Sequence, residues 1–251
     1  VLWPTVRTYP VRAIGLAAAA AVGLTVLAYA AVSLSPLIGR ALAERAASAG
    51  DTDQLLYAAI VETVLGLAHL AVFLTAIVLV IIWFYRARKN LDAFPGAGPT
   101  MSNGWAIAGW LVPFANFVVP CRVMANIARD SLWRTRTPPL VGIWWSAWLV
   151  YLVSERYVSR TDGRAYAALP EPRTQVAFQP YVDYYAHAVA ANLVPLTAAV
   201  IAGALLIVLI RMISAAQEGR IARGLPVAPV MPGMTVASPV VPGAGGGTIG
   251  A

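Results

Sequence analysis

The sequence predicts an all-α fold: a polytopic membrane helix bundle of about four transmembrane helices, a short re-entrant segment and an interfacial amphipathic helix. Three observations predict it. Of 251 residues, 59% are hydrophobic and only 12% charged, and the mean hydropathy is +0.71. A soluble domain is about a quarter charged, so lipid must replace water over much of this surface. Long apolar runs recur along the chain, with short basic groups at their ends.

The first run covers about residues 13–38, after a cytoplasmic N-terminus (residues 1–12) that carries Arg7 and Arg12. A basic start followed by Ala28-Tyr29-Ala30 has the form of a signal peptide. The apolar stretch exceeds an ordinary signal core, so an uncleaved first helix is expected. Gly15, Ala19 and Gly23 recur every four residues and offer one face to close helix packing.

The second span, about residues 55–85, ends in the stop-transfer cluster Arg86-Ala87-Arg88-Lys89-Asn90. Further spans are expected at about 139–158 and 184–213, each long enough for about 30 Å of hydrocarbon at 1.5 Å per residue. Residues 104–119 are harder to place: a short apolar run interrupted by Pro113 and Asn116 and ended by Pro120. It is either a fifth span or a re-entrant piece.

Charge separates the two. With re-entry and a cytoplasmic N-terminus, the inside holds Arg7, Arg12, Arg86, Arg88, Lys89, Arg122, Arg129, Arg134, Arg136, Arg211, Arg220 and Arg223. The outside holds Arg40, Arg45, Arg156, Arg160, Arg164 and Arg173, a split of 12 to 6. A crossing would make the split 9 to 9. The positive-inside rule therefore favours re-entry and places both termini in the cytoplasm.

Residues 120–136 read as an interfacial helix. Val123, Met124, Ile127, Ala128 and Leu132 share one side, while Arg122, Asn126, Arg129 and Arg136 face anionic headgroups. The rival reading is a loop helix packed on protein. The membrane domain ends near residue 218, and residues 219–251 form a Pro/Gly-rich tail that is disordered alone. A membrane protein partner is a candidate to hold it.

Ionisable residues inside a span are functional candidates by default. Glu62 and His69 lie seven residues apart on one face of the second span, about 10.5 Å along the axis. Glu155 and Asn192 are candidates to join them in a proton or solute path; hydrogen-bonded packing is the alternative. A bis-histidine haem is excluded by depth, because His187 stands at the outer edge, about 16 Å from the level of His69. Contact of His69 with a neighbouring subunit's cofactor stays open.

Other classes are excluded. Lone Cys121 rules out an internal disulfide framework or a multi-cysteine metal site. There is no phosphate-binding glycine loop, zinc-spaced histidine pair or nucleophile elbow. Neither enzyme activity nor a cofactor or metal of its own is expected. The net charge of +7 is dispersed beside apolar runs rather than gathered for nucleic acid.

The middle of the chain carries two distinctive blocks, Trp83-Phe84-Tyr85-Arg86-Ala87-Arg88-Lys89-Asn90-Leu91-Asp92 and Gly104-Trp105-Ala106-Ile107-Ala108-Gly109-Trp110-Leu111-Val112-Pro113-Phe114-Ala115-Asn116. Pro120, Arg122-Val123-Met124 and the pair Trp144-Trp145 follow. Over roughly residues 55–215 this resembles the domain-of-unknown-function 4328 family of bacterial, chiefly actinobacterial, membrane proteins. The resemblance implies no activity. Family members often have Pro/Gly-rich tails, usually N-terminal; here the tail is C-terminal. Physically, the two blocks are expected to meet at the inner interface. Asn116 would satisfy backbone freed by Pro113, and Arg86 and Arg88 would bind lipid phosphate or pair with Asp92 and Asp130.

Lipid or partner contacts are thus expected at Arg86, Arg88, Lys89, Arg122, Arg129, Trp105 and Trp110, and intramembrane polar roles at Glu62, His69, Asn116 and Asn192. Three functions compete: a non-catalytic subunit or scaffold in a larger membrane assembly, a small ion, proton or solute transporter using Glu62 and His69, and an anionic-lipid-binding protein.

Overall fold

The computed structural model describes residues 7–171 and 175–223. These form six α-helices and no strand: α1 (Arg12–Ala49), α2 (Asp53–Leu91), α3 (Trp105–Leu111), α4 (Val119–Ser131), α5 (Pro139–Ala167) and α6 (Gln175–Ala222), with a 3-10 turn at Ala115–Phe117. The N-terminal residues 1–6 and the tail from 224 onward lie outside the described residues, and so does the expected ordering of that tail by a partner.

Three helices are long and apolar enough to cross a membrane: Arg12–Ala49, Asp53–Leu91 and Ala177–Ala222. They run well past the apolar runs; α1 continues from residue 38 to Ala49. Its end follows from local chemistry. Gly50 adopts φ 67°, and its N–H bonds the Ala46 carbonyl, a left-handed stop at which glycine has no steric cost. The chain turns there and α2 returns beside α1.

The long helices stand in the order α2, α1, α6, α5, with α1 packed on α2 and α6 and with α5 on α6. Small residues set the contact distances. A Cβ built on Gly15 would come 2.5 Å from Ser214 Oγ. One on Gly39 would meet the Tyr185 ring at 2.4 Å, and one on Gly203 would meet Val26 at 2.4 Å. Ala19 is buried, while at Gly23 the nearest atom, of Ile207, is at an ordinary 3.8 Å. The predicted small-residue face therefore serves α6, and equally close approaches occur beyond its three residues, at Gly39 of α1 and Gly203 of α6.

Pro36 sits inside α1 and leaves the Val32 carbonyl without its helical donor. The Ser35 hydroxyl donates to that carbonyl at 2.8 Å. Asn192 of α6 donates to the neighbouring Ser33 carbonyl at 3.1 Å. The missing ladder bond is thus replaced from within, and the segment is pinned from the adjacent helix.

The start of α1 and the ends of α2, α4 and α6 meet at one end of the bundle, the proximal end. Asn90 accepts from Tyr9 N–H, Gln217 reaches the Ala87 carbonyl, and Glu218 accepts from the Val11 and Arg12 amides. The α3–α4 unit is a hairpin leaving and rejoining this same end. Arg88 bonds the Met101 carbonyl where it begins, and Ser131 meets Gln217 where it finishes. Gly109 lies so close to Val119 that a Cβ would approach its side chain to 2.5 Å. The reversal puts Phe114 at φ 64° with its side chain 86% exposed.

The amphipathic segment is a helix only as far as Ser131; Trp133 follows in a left-handed turn at φ 53°. Its apolar side is closed against protein rather than lipid. Val123, Met124, Ile127 and Ala128 are fully buried in the core that holds Leu91, Ile210 and Ile213. The rival loop-helix reading describes this packing, because the ends of α2 and α6 bury that side first.

Candidate functional site: a cavity between α2 and α5

Polar residues gather in two places, and their states differ. The first is the proximal knot. Trp83 Nε1–H donates to Ser214 Oγ at 2.9 Å. Asn90 Nδ2–H donates to the Tyr9 carbonyl and to Gln217 Oε1, both at 2.9 Å. Gln217 in turn donates to the Ala87 carbonyl at 2.9 Å and to Ser131 Oγ at 2.8 Å. Asn90, Ser131 and Gln217 are completely buried.

Around this knot several of the predicted lipid-facing cations turn to protein partners. Arg88 is 4% exposed; it pairs with Asp92 at 2.7 Å and bonds the Met101 carbonyl. Lys89 also reaches Asp92, at 3.3 Å. Burial opposes the charge on Asp92, but hydrogen bonds from Asn103, Arg88 and Lys89 outweigh it and hold the carboxyl below its ordinary value. Arg129 pairs with Asp130 at 2.6 Å, which raises the guanidinium further. Arg86 reaches the Pro10 carbonyl at 3.4 Å, and Arg122 is exposed. Arg220 lies between the Phe94 and Trp133 rings, 4.0 and 3.9 Å from their centroids, and donates to the Asp130 carbonyl. Arg88 is therefore a clamp on the hairpin rather than a free headgroup ligand.

The second place is a cavity of about 310 Å³. Helices α2 and α5, at the two edges of the row, do not pack on one another, and the cavity occupies the gap. Phe73, Ile77 and Ile81 of α2 face Trp144, Trp148 and Leu152 of α5 across it; Val22, Val26, Ala202 and Leu206 of α1 and α6 contribute to the walls. The hairpin brings Trp110, Leu111 and Asn116. Trp110 packs edge-on between Phe84 and Trp145, at 5.4 and 6.3 Å between centroids. Trp145 Nε1–H donates to the Phe117 carbonyl at 3.0 Å and fixes the hairpin tip. Of the two tryptophans expected to contact lipid or a partner, Trp105 is 39% exposed, whereas Trp110 is partly buried against the core.

His69 sits in this lining. Its ring meets Tyr29 at 5.3 Å and Phe73 at 5.8 Å. Tyr29 packs edge-on against Tyr151 and donates its hydroxyl to Glu155. The sequence-predicted pair is thus divided. His69 joins Glu155 through Tyr29, while Glu62 lies apart, within electrostatic reach of Asp162, whose Oδ2 accepts from Tyr184 at 2.9 Å. Asn192 joins neither, being bound to the Ser33 carbonyl of α1 near Pro36. Asn116 belongs beside His69 rather than to the turn it was expected to satisfy. There the backbone closes itself, Ala115 N–H to the Pro113 carbonyl and Asn116 N–H to the Val112 carbonyl. The Asn116 Oδ1, Trp110 Nε1 and His69 Nδ1 atoms are buried without a hydrogen-bond partner.

Sequence reasoning passed over Tyr29, which figured there only in a possible cleavage site, Tyr151, which lay within an apolar run, and Gln217, which lay beside the Pro/Gly-rich tail. Only a polar residue amid an apolar run could have marked Gln217. Among the described residues no group of three His, Cys, Asp or Glu stands close enough to hold a metal.

No curated protein and no solved structure matches the chain. A family model described as a domain of unknown function, DUF4328, matches residues 46–215. That stretch spans α2 through most of α6, with both sequence blocks, the hairpin and the residues of α2, α3, α5 and α6 that line the cavity, and so the chain belongs to the DUF4328 family.

Proposed function

We propose that the chain is a four-pass protein of the bacterial cytoplasmic membrane, with cytoplasmic N- and C-termini, acting as a non-catalytic subunit or scaffold in a larger membrane assembly. Its fourth span would be α5, whose 29 residues reach about 43 Å at 1.5 Å per residue. Trp144, Trp145, Trp148, Tyr151 and Glu155 make it less apolar than the other three. The hairpin is then re-entrant, and the 12-to-6 charge split puts the proximal end inside. Helix α4 would lie at that inner boundary, Arg122 toward headgroups.

The observation that carries the scaffold reading is the bareness of α2. In its most apolar stretch 11% of the residues are buried, against 28% in α1 and 39% in α6. Leu56, Ile60, Val64, Leu67, Leu74 and Val78 form an exposed row at helical spacing. A photo-crosslinking residue at Val64 or Leu67, in native membranes, should give a discrete protein adduct, with Val194 on α6 as the comparison site. Lipid adducts alone, together with monodisperse monomers in mild detergent, would sink the reading.

A second reading, a small transporter, is favoured by Glu62 beside Asp162 and by His69 on the cavity. It predicts that Glu62→Gln and His69→Ala lose flux in liposomes; unchanged flux removes it.

A further inference from the structure

The α2–α5 cavity presents a contradiction that its own walls do not resolve. They are almost wholly apolar, yet His69 Nδ1, Trp110 Nε1 and Asn116 Oδ1, all on lining residues, are buried without partners. An unpaired buried polar group costs about 1–3 kcal/mol. Three of them belong to residues of α2, α3 and the 3-10 turn that line one space of about 310 Å³. That volume lies at the small end of the roughly 300–1,000 Å³ of ligand pockets.

The chemistry of the three atoms defines a complement. An indole N–H only donates, an amide oxygen only accepts, and a histidine nitrogen does either according to tautomer. A group that both accepts and donates, a hydroxyl, answers all three. Charge narrows it further. No Lys or Arg lines the cavity, so a phosphate or carboxylate would be desolvated with no counter-charge.

A single hydrocarbon chain fits and can leave through the gap between α2 and α5, where neither helix packs on the other.

We propose that this cavity binds a neutral single-chain amphiphile, its hydroxyl seated among His69, Trp110 and Asn116 and its chain passing between α2 and α5 into the bilayer. The proposal rests on the reading of the long helices as membrane spans, but not on the scaffold role.

Three of the eight tryptophans, Trp110, Trp144 and Trp148, line the site, and bromine quenches indole fluorescence on contact. The full chain in nanodiscs is titrated with 9,10-dibromostearyl alcohol and, at pH 8, with 9,10-dibromostearate. The expected result is saturable quenching by the alcohol, at least about tenfold weaker for the anion and for His69→Leu and Asn116→Leu, or roughly 1.4 kcal/mol. Non-saturable quenching, equal affinity for the anion, or unchanged affinity in both variants overturns the proposal. If a variant fails to fold, stabilisation of the wild type decides: the alcohol should raise its melting temperature and the anion should not. No rise overturns the proposal. A Phe73→Cys variant in a Cys121→Ser background separates the two premises. Rapid alkylation by a membrane-impermeant maleimide would end the spanning reading. Protection without alcohol binding would end only the ligand.

Discussion

The proximal knot and the α2–α5 cavity are built from the same kinds of residue and left in opposite states. Both hold tryptophan and carboxamide side chains amid apolar walls. In the knot, Trp83, Asn90 and Gln217 make hydrogen bonds of 2.8–2.9 Å that join α2, α4, α6 and the segment before α1. In the cavity, Trp110, Asn116 and His69 each keep an atom buried without a partner. A saturated buried network is rigid and specific, while an unsaturated one costs stability. The difference teaches which polar residues are architecture and which are available for something else.

The contrast is most exposed to failure at Gln217. Gln217→Leu strips partners from Asn90, Ser131 and the Ala87 carbonyl at once, and should cost about 3 kcal/mol, read as a fall in melting temperature in detergent. A loss below about 1 kcal/mol would mean that water replaces it and that the knot is not dry.

Packing gives the next test. Gly39→Ala drives a Cβ into the Tyr185 ring and should destabilise by about 1–3 kcal/mol. Gly66→Ala, with nothing within 4 Å of its Cβ, should be neutral or gain up to about 1 kcal/mol from helix propensity. Equal melting temperatures for the two variants would show that Tyr185 simply moves aside.

The cavity should respond with the other sign. In ligand-free detergent, His69→Leu and Asn116→Leu remove unpartnered groups and should leave stability unchanged within about 0.5 kcal/mol or raise it. A loss comparable to that of Gln217→Leu would erase the distinction between the two regions.

The smallest effect is expected from pH. Asp92 is depressed in the folded chain, so the unfolded chain binds the extra proton first as pH falls. The contribution of Asp92 is complete well above its ordinary value of about 3.9 and is lost as pH drops through the folded one. Asp92→Asn should therefore narrow the difference in melting temperature between pH 7 and pH 4. An unchanged difference would place the acid sensitivity elsewhere.

Long-range features of this molecule were legible only where hydropathy or charge encodes them. The apolar runs give α1, α2 and α6, and the basic groups flank the proximal end. What the runs do not encode is where helices stop, because α1 and α6 continue beyond the hydrophobic stretch on ordinary helix formers. The direction of α4's apolar side was also hidden, since lipid and protein accept the same residues. Glu62 and His69 stood out as ionisable groups, yet the partner that matters for His69 is Tyr29, whose role depends on α1 and α2 lying side by side. Hydrogen bonds between residues 86 and 131 positions apart, such as those of Gln217 with Ser131 and of Trp83 with Ser214, leave no periodic trace.

Glu218 accepts the amides of Val11 and Arg12 across 207 and 206 positions, placing a carboxylate at the positive end of α1. Synthesis runs at about 5–20 residues per second, so roughly 10–40 s separate the first turn of α1 from its cap. The start of the chain waits for its finish. A chain released before α6 leaves those two amides without their carboxylate and Asn90 with only its Tyr9 bonds, so this end of the bundle closes last.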